Sequence, residues 1–162
     1  MRTRGWILFC GVLAACGREE ATPPPTTQPA ASTVAAPAPG APPAVRKPAP
    51  AEAVAYIVSP EDGATVDNPV LIQFGLKGVG VAPAGVDRPD TGHHHLLIDA
   101  ELPPLDAPIP SDAQHVHFGA GQTETVITLS PGRHQLRLLL GDNAHVPFDP
   151  AIASAPVTID VR

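Results

Sequence analysis

Thiols and basic side chains are scarce in this chain, and each shortage removes a class of protein. Only Cys10 and Cys16 are present, both near the N-terminus, and the single methionine is Met1. Everything beyond residue 16 therefore folds without a disulfide and cannot supply the thiolate of a blue-copper centre. Residues 54–162 carry 13 acidic and 5 basic side chains, a balance of −8 with histidine neutral. That field repels nucleic acid and attracts cations, so nucleic acid is not an expected partner. No Gly-x-Ser-x-Gly elbow, phosphate-binding loop or dinucleotide fingerprint occurs, and no window carries a 3.6-residue apolar stripe. A non-enzymatic role is the expected reading, with a metal-dependent enzyme ranked third.

What is present begins with an address. Arg2 and Arg4 precede the apolar run from Gly5 to Val12, which is too short to span a bilayer. The run ends in Leu13-Ala14-Ala15-Cys16, which resembles the bacterial lipoprotein signal. The resemblance implies a signal peptide over residues 1–15 and lipidation at Cys16. Gly17, where retained lipoproteins carry Asp, implies an outer-membrane lipoprotein facing the periplasm in a Gram-negative cell envelope. The expected membrane contact is that lipid anchor.

Residues 16–53 are rich in Pro, Ala and Thr, as in Thr22-Pro23-Pro24-Pro25 and Ala36-Pro37-Ala38-Pro39. They lack the large apolar groups that offset ordering entropy, so a disordered tether is expected, with Arg46 and Lys47 as solvated charge. At about 3.1 Å per residue in polyproline II, it would reach on the order of 100 Å.

From Val54 the pattern turns to short alternating runs broken by Pro, Gly, Asp and Asn. Strands are expected near 55–58, 69–75, 94–100, 114–118, 123–129, 134–140 and 156–161. Ser130-Pro131-Gly132 should close a hairpin between the fifth and sixth of them. About seven strands over residues 54–162 imply an all-β, immunoglobulin-like sandwich; a cupin-like barrel is the alternative. Leu138-Leu139-Leu140 reads as core, with Leu139 under a loop or at an interface.

All seven histidines lie between residues 93 and 145, where average usage would place roughly one or two. His93/His95 and His115/His117 each have the i, i+2 spacing that puts two imidazoles on one face of a strand. In the common Greek-key order, His93, His94, His95, His117 and His145 converge on one rim with Asp142, Gln122 and Glu124. Alternation conflicts with this, because it points His93/His95 and His115/His117 outward from opposite sheets. One joint site then needs loops folded across the end; two separate pairs are the alternative. The preferred ligands are His93, His95, His117 and His145, with His94, His115, Asp142 and Glu124 as further candidates. Imidazole with carboxylate and no sulfur suits a divalent Zn, Cu or Ni ion. The bland reading is that these rings hydrogen-bond loop backbones and knit the sandwich together.

Several motifs occur together: Ser59-Pro60-x-Asp62-Gly63-Ala64-Thr65-Val66, Gly92-His93-His94-His95-Leu96-Leu97-Ile98-Asp99, His115-x-His117-Phe118-Gly119-x-Gly121-Gln122-Thr123-Glu124, Leu138-Leu139-Leu140-Gly141-Asp142 and His145-Val146-Pro147. In this order they resemble the bacterial family called domain of unknown function 4399, over about residues 56–161. The resemblance implies a small exported β-sandwich and carries no activity with it. Family members often have a further histidine where this chain has Phe148. Two functions are therefore expected: a divalent-metal module for delivery, buffering or sensing, or a non-catalytic domain that docks an envelope protein or glycan with structural histidines.

Overall fold

Residues 42–162 are described in a computed structural model of the chain; the signal, Cys16 and the tether up to residue 41 lie outside the described residues. The strands are β1 (Val54–Ser59), β2 (Ala64–Val66), β3 (Val70–Lys77), β4 (Gly80–Val81), β5 (Thr91–Ile98), β6 (His115–His117), β7 (Glu124–Ile127), β8 (Gly132–Gly141) and β9 (Val157–Val161). The seven expected from alternation are among them, with ends displaced by at most three residues. The short β2 and β4 are additions, too brief for alternation to reveal.

A three-stranded sheet runs β1-β3-β7, and a six-stranded sheet runs β2-β9-β8-β5-β4, with β6 also on β5. The sheets do not close on each other, so the fold is the immunoglobulin-like sandwich and not the barrel. Period-two burial builds its centre. Ala55, Val70, Ile72 and Phe74 of the smaller sheet pack against Leu96, Leu136, Leu138, Leu140, Ile159 and Val161 of the larger. Leu139 points the opposite way and joins Leu97 and Ile109 in a second small core outside the six-stranded sheet. A loop covers that face, as the sequence reading of Leu139 required.

Two connections differ from expectation. Strand β7 pairs with β3, while β8 pairs with β5 and β9. Ser130-Pro131-Gly132 therefore carries the chain from one sheet to the other instead of closing a hairpin. Strand β6 lies antiparallel against β5, with His95 opposite His117 and Leu97 opposite His115. Residues directly opposite in such a pair share a face. The two His-x-His pairs thus point to the same side of one sheet, and the conflict over opposite sheets disappears.

Residues 44–49, assigned to the tether by composition, run along the domain. Ala44 N–H donates to Asp106 O (2.7 Å), Ala49 N–H to Asp149 O (2.8 Å) and Asp149 N–H to Lys47 O (2.8 Å). The Arg46 guanidinium donates to Pro147 O (3.2 Å) and to Phe148 O, and pairs with Asp149 (3.2 Å). Lys47 Nζ donates to Asn143 Oδ1 (2.7 Å). This strap holds the loop after β8 from outside.

At the far end of the sandwich His134 is tied down alone. Its Nδ1 lies 2.6 Å from Asp99 Oδ2 and its Nε2 lies 2.9 Å from Ser130 O. Both partners are acceptors, so the ring is best satisfied as imidazolium with two N–H donors. Asp99 first, and the Ser130 carbonyl after it, raise its pKa above 6.5. A raised folded-state pKa stabilises the fold fully below the unfolded value, and that contribution fades as pH climbs through the raised one. His134→Gln should therefore cost about 1 kcal/mol at pH 5.5, a figure discounted for the exposure of Asp99. The cost should shrink steadily above pH 7. Urea unfolding of both proteins across that range checks it.

Candidate metal centre

Antiparallel register builds this site. On the outer face of the six-stranded sheet His93 sits opposite Gly141 and His95 opposite Leu139, while His117 flanks His95 from β6. The loop from Asp142 to Pro150 folds back over that face and brings His145 to the same place. His93, His95, His117 and His145 form one cluster, with ring centroids 4.8 to 5.9 Å apart for all six pairs. His93, His95 and His117 each offer a ring nitrogen, and these lie within 4.8 Å of one another. The cluster lies beneath loops on a sheet face and not on the rim of the sandwich, because β6 joined β5.

The surroundings are shaped for these rings. A Cβ on Gly119 would stand 2.3 Å from His117 Cε1, and one on Gly141 would stand 2.9 Å from His95 Cε1. Neither position tolerates a side chain while the rings stay in place. Asp142, 3% exposed, serves the loop itself. Its Oδ1 accepts N–H groups from Ala144 (2.8 Å) and Val146 (2.9 Å), and its carbonyl accepts from His145 N–H (3.0 Å). These bonds hold His145 at φ +67°, a left-handed conformation that a non-glycine residue keeps only where its surroundings impose it.

The other candidate residues lie apart. His94 faces the central core, its ring 5.1 Å from Phe74, with Nδ1–H donating to Gln122 O (3.2 Å). His115 shares the outer face but turns its Nδ1 to Asp112 Oδ1 (2.9 Å). Glu124 lies on the smaller sheet, accepting from Gln73 Nε2 (3.2 Å). Phe148 is 2% exposed and packs in the main core. Gly119 and Gly141 escaped the sequence reading. Their only signal was adjacency to His117 and Asp142.

Burial and crowding disfavour the charged form of His93, His95 and His117. Burial, reinforced by His145, His117 and His94, lowers the His93 pKa to about 3. Burial and the neighbouring rings hold His95 well below 6.5, and burial followed by His145 lowers His117. Both ring nitrogens of His93 and His95, and Nε2 of His117 and His145, are nonetheless buried without a hydrogen-bond partner. Each such orphan costs about 1–3 kcal/mol. The arrangement supplies several neutral imidazole lone pairs to one small volume, which is what a metal ion requires.

Fold and site together define an all-β sandwich carrying a buried imidazole cluster on the outer face of one sheet. Residues 72–162 match the family model described as Domain of unknown function (DUF4399), and the chain belongs to that family. No curated protein and no solved structure matches the chain.

Gly119→Ala tests the shape of the site without removing a ring. The new methyl forces His117 aside, which should cost about 1–3 kcal/mol in chemical denaturation. Histidine ring NMR should show His117 displaced while His134 keeps its signals.

Proposed function

We propose that this protein is an envelope lipoprotein whose sandwich domain binds one divalent metal ion through His93, His95, His117 and His145. The observation that carries the reading is four mutually packed rings with six buried, unpartnered nitrogens, among which one nitrogen each from His93, His95 and His117 lie within 4.8 Å of one another. A structural histidine would spend both nitrogens, as His134 does on Asp99 and the Ser130 carbonyl; His94, in the main core, bonds the Gln122 carbonyl through Nδ1 and leaves Nε2 unpartnered. Lipidation at Cys16 and the Pro/Ala-rich tether would hold the domain at a membrane surface facing the periplasm. Delivery, buffering or sensing of the ion fits four protein donors better than catalysis, which keeps a coordination position open for water or substrate.

A second reading, a non-catalytic docking domain for an envelope protein or glycan, draws on the outer face of the smaller sheet. Tyr56, Val58, Leu71 and Val126 are 44–60% exposed there, with Leu71 opposite Val126. Such a face suits a partner and says nothing against the metal.

Calorimetric titration of the chain from Gly17 onward with Zn(II) and with Cu(II) separates the two. The metal reading expects one ion per chain, lost in the His95→Ala/His117→Ala variant. It also expects a stability gain of about 2.7 kcal/mol at a free-ion concentration of 100 Kd. No binding heat, with the variant merely less stable, would assign the histidines to the scaffold and favour the docking domain.

A further inference from the structure

Resting on that reading of the four histidines, we infer that the centre is tetrahedral and selects zinc over copper(II) and nickel(II). The argument is geometric. With metal–nitrogen bonds of about 2.0–2.1 Å, ring centroids stand about 3.2 Å from the ion, and tetrahedral neighbours then stand about 5.2 Å apart. A square plane at similar bond lengths would give four edges of about 4.5 Å and two diagonals of about 6.4 Å.

The observed separations are 4.8 Å for His93–His95, 5.0 Å for His93–His117 and 4.9 Å for His93–His145. They are 5.1 Å for His95–His117, 4.8 Å for His117–His145 and 5.9 Å for His95–His145. In a square the two diagonals share no ring. Here the longest pair is His95–His145, and the pair that would have to be its crossing diagonal, His93–His117, is only 5.0 Å. Four points so related cannot lie in a plane, and they mark the corners of a slightly stretched tetrahedron.

Donor chemistry narrows the choice further. An octahedral ion needs two more ligands, usually oxygens. The Asp142 Oδ1 is occupied by backbone N–H groups, Asp112 is bonded to His115, and Glu124 lies on the other sheet. Copper(I) prefers sulfur, and beyond Cys16 the chain has neither cysteine nor methionine. An ordinary nitrogen site would favour Cu(II) over Zn(II). This frame resists, because flattening it means pulling His95 and His117 off two hydrogen-bonded strands. Backbone at Gly119 and Gly141 stands directly against their rings.

The test uses the full chain in detergent and Co(II), a coloured ion of similar size to zinc. Calorimetry first establishes whether Co(II) binds; the visible spectrum then reports coordination number. The inference expects the intense bands of four-coordinate Co(II), erased by one equivalent of Zn(II) and resistant to one equivalent of Ni(II). In His145→Ala, with a loop ligand removed and both strands intact by circular dichroism, Co(II) should still bind but with the weaker bands of a water-expanded shell. Co(II) that binds wild type with only weak six-coordinate bands overturns the tetrahedral inference and leaves the metal reading standing. Complete displacement of zinc by equimolar Cu(II), with a square-planar electron-spin spectrum, does the same. Absence of heat with every ion overturns both.

Discussion

The constraint on which this structure turns is the enclosure of four imidazoles, His93 and His95 buried and His117 and His145 half-buried, on a sheet face that would ordinarily meet solvent. In a two-layer sandwich the inner faces are apolar and the outer faces polar. The six-stranded sheet departs from that rule along one row, where His93, His95 and Leu97 of β5 and Leu139 of β8 all face outward. Covering that row needs more chain than a tight turn provides. The long connections over 99–114 and 142–156 supply it, Ile109 and Ala151 closing the apolar half and His145 the imidazole half.

The cover is itself secured from outside. Asp142 folds the first part of its loop through backbone N–H bonds, and the Arg46–Asp149 pair and the Lys47–Asn143 bond fasten the rest. The chain just before the sandwich therefore acts on the loop that carries the fourth histidine. Its contribution is to geometry: Arg46 is largely buried beside the Pro147 and Phe148 carbonyls, and without it they would lack a donor. A segment whose composition reads as spacer thus forms part of the enclosure of the site.

Much of this was legible in the residues, and the failures have identifiable causes. Alternation located every strand long enough to display it, and the Leu138-Leu139-Leu140 run announced a sheet buried on both sides. The i, i+2 histidines named a shared face on each of two strands. What could not be read was the pairing of β6, three residues whose partner is decided by the loops around it and not by its own pattern. Assigning it to the opposite sheet made one joint site depend on loops folded across the end and left two separate pairs as the alternative. Asp142 is a carboxylate whether it binds an ion or caps a turn, and only its hydrogen bonds distinguish the roles. Residues 44–49 were misplaced because Pro and Ala look the same in a tether and in a strap that borrows its hydrogen bonds from the domain.

The division of the four rings between elements also bears on what the site is for. His93, His95 and His117 stand on two strands joined by a ladder, so their spacing is as stiff as the sheet. His145 stands on a loop in a conformation sustained by Asp142, by the Ile109 N–H bonded to its carbonyl (2.9 Å) and by the strap. Three rings fixed and one on a separate, locally held segment is an asymmetric arrangement. A purely structural ion would gain nothing from it, since all four donors could have come from the sheet. An ion that must enter and leave needs one side of its cage to open without unfolding the rest, and opening at His145 breaks loop contacts while leaving the core ladder of β5 and β8 intact. On the proposed metal reading, the fold is therefore better suited to an exchangeable ion than to a permanent one, which is the difference between carrying a metal and merely being built around it.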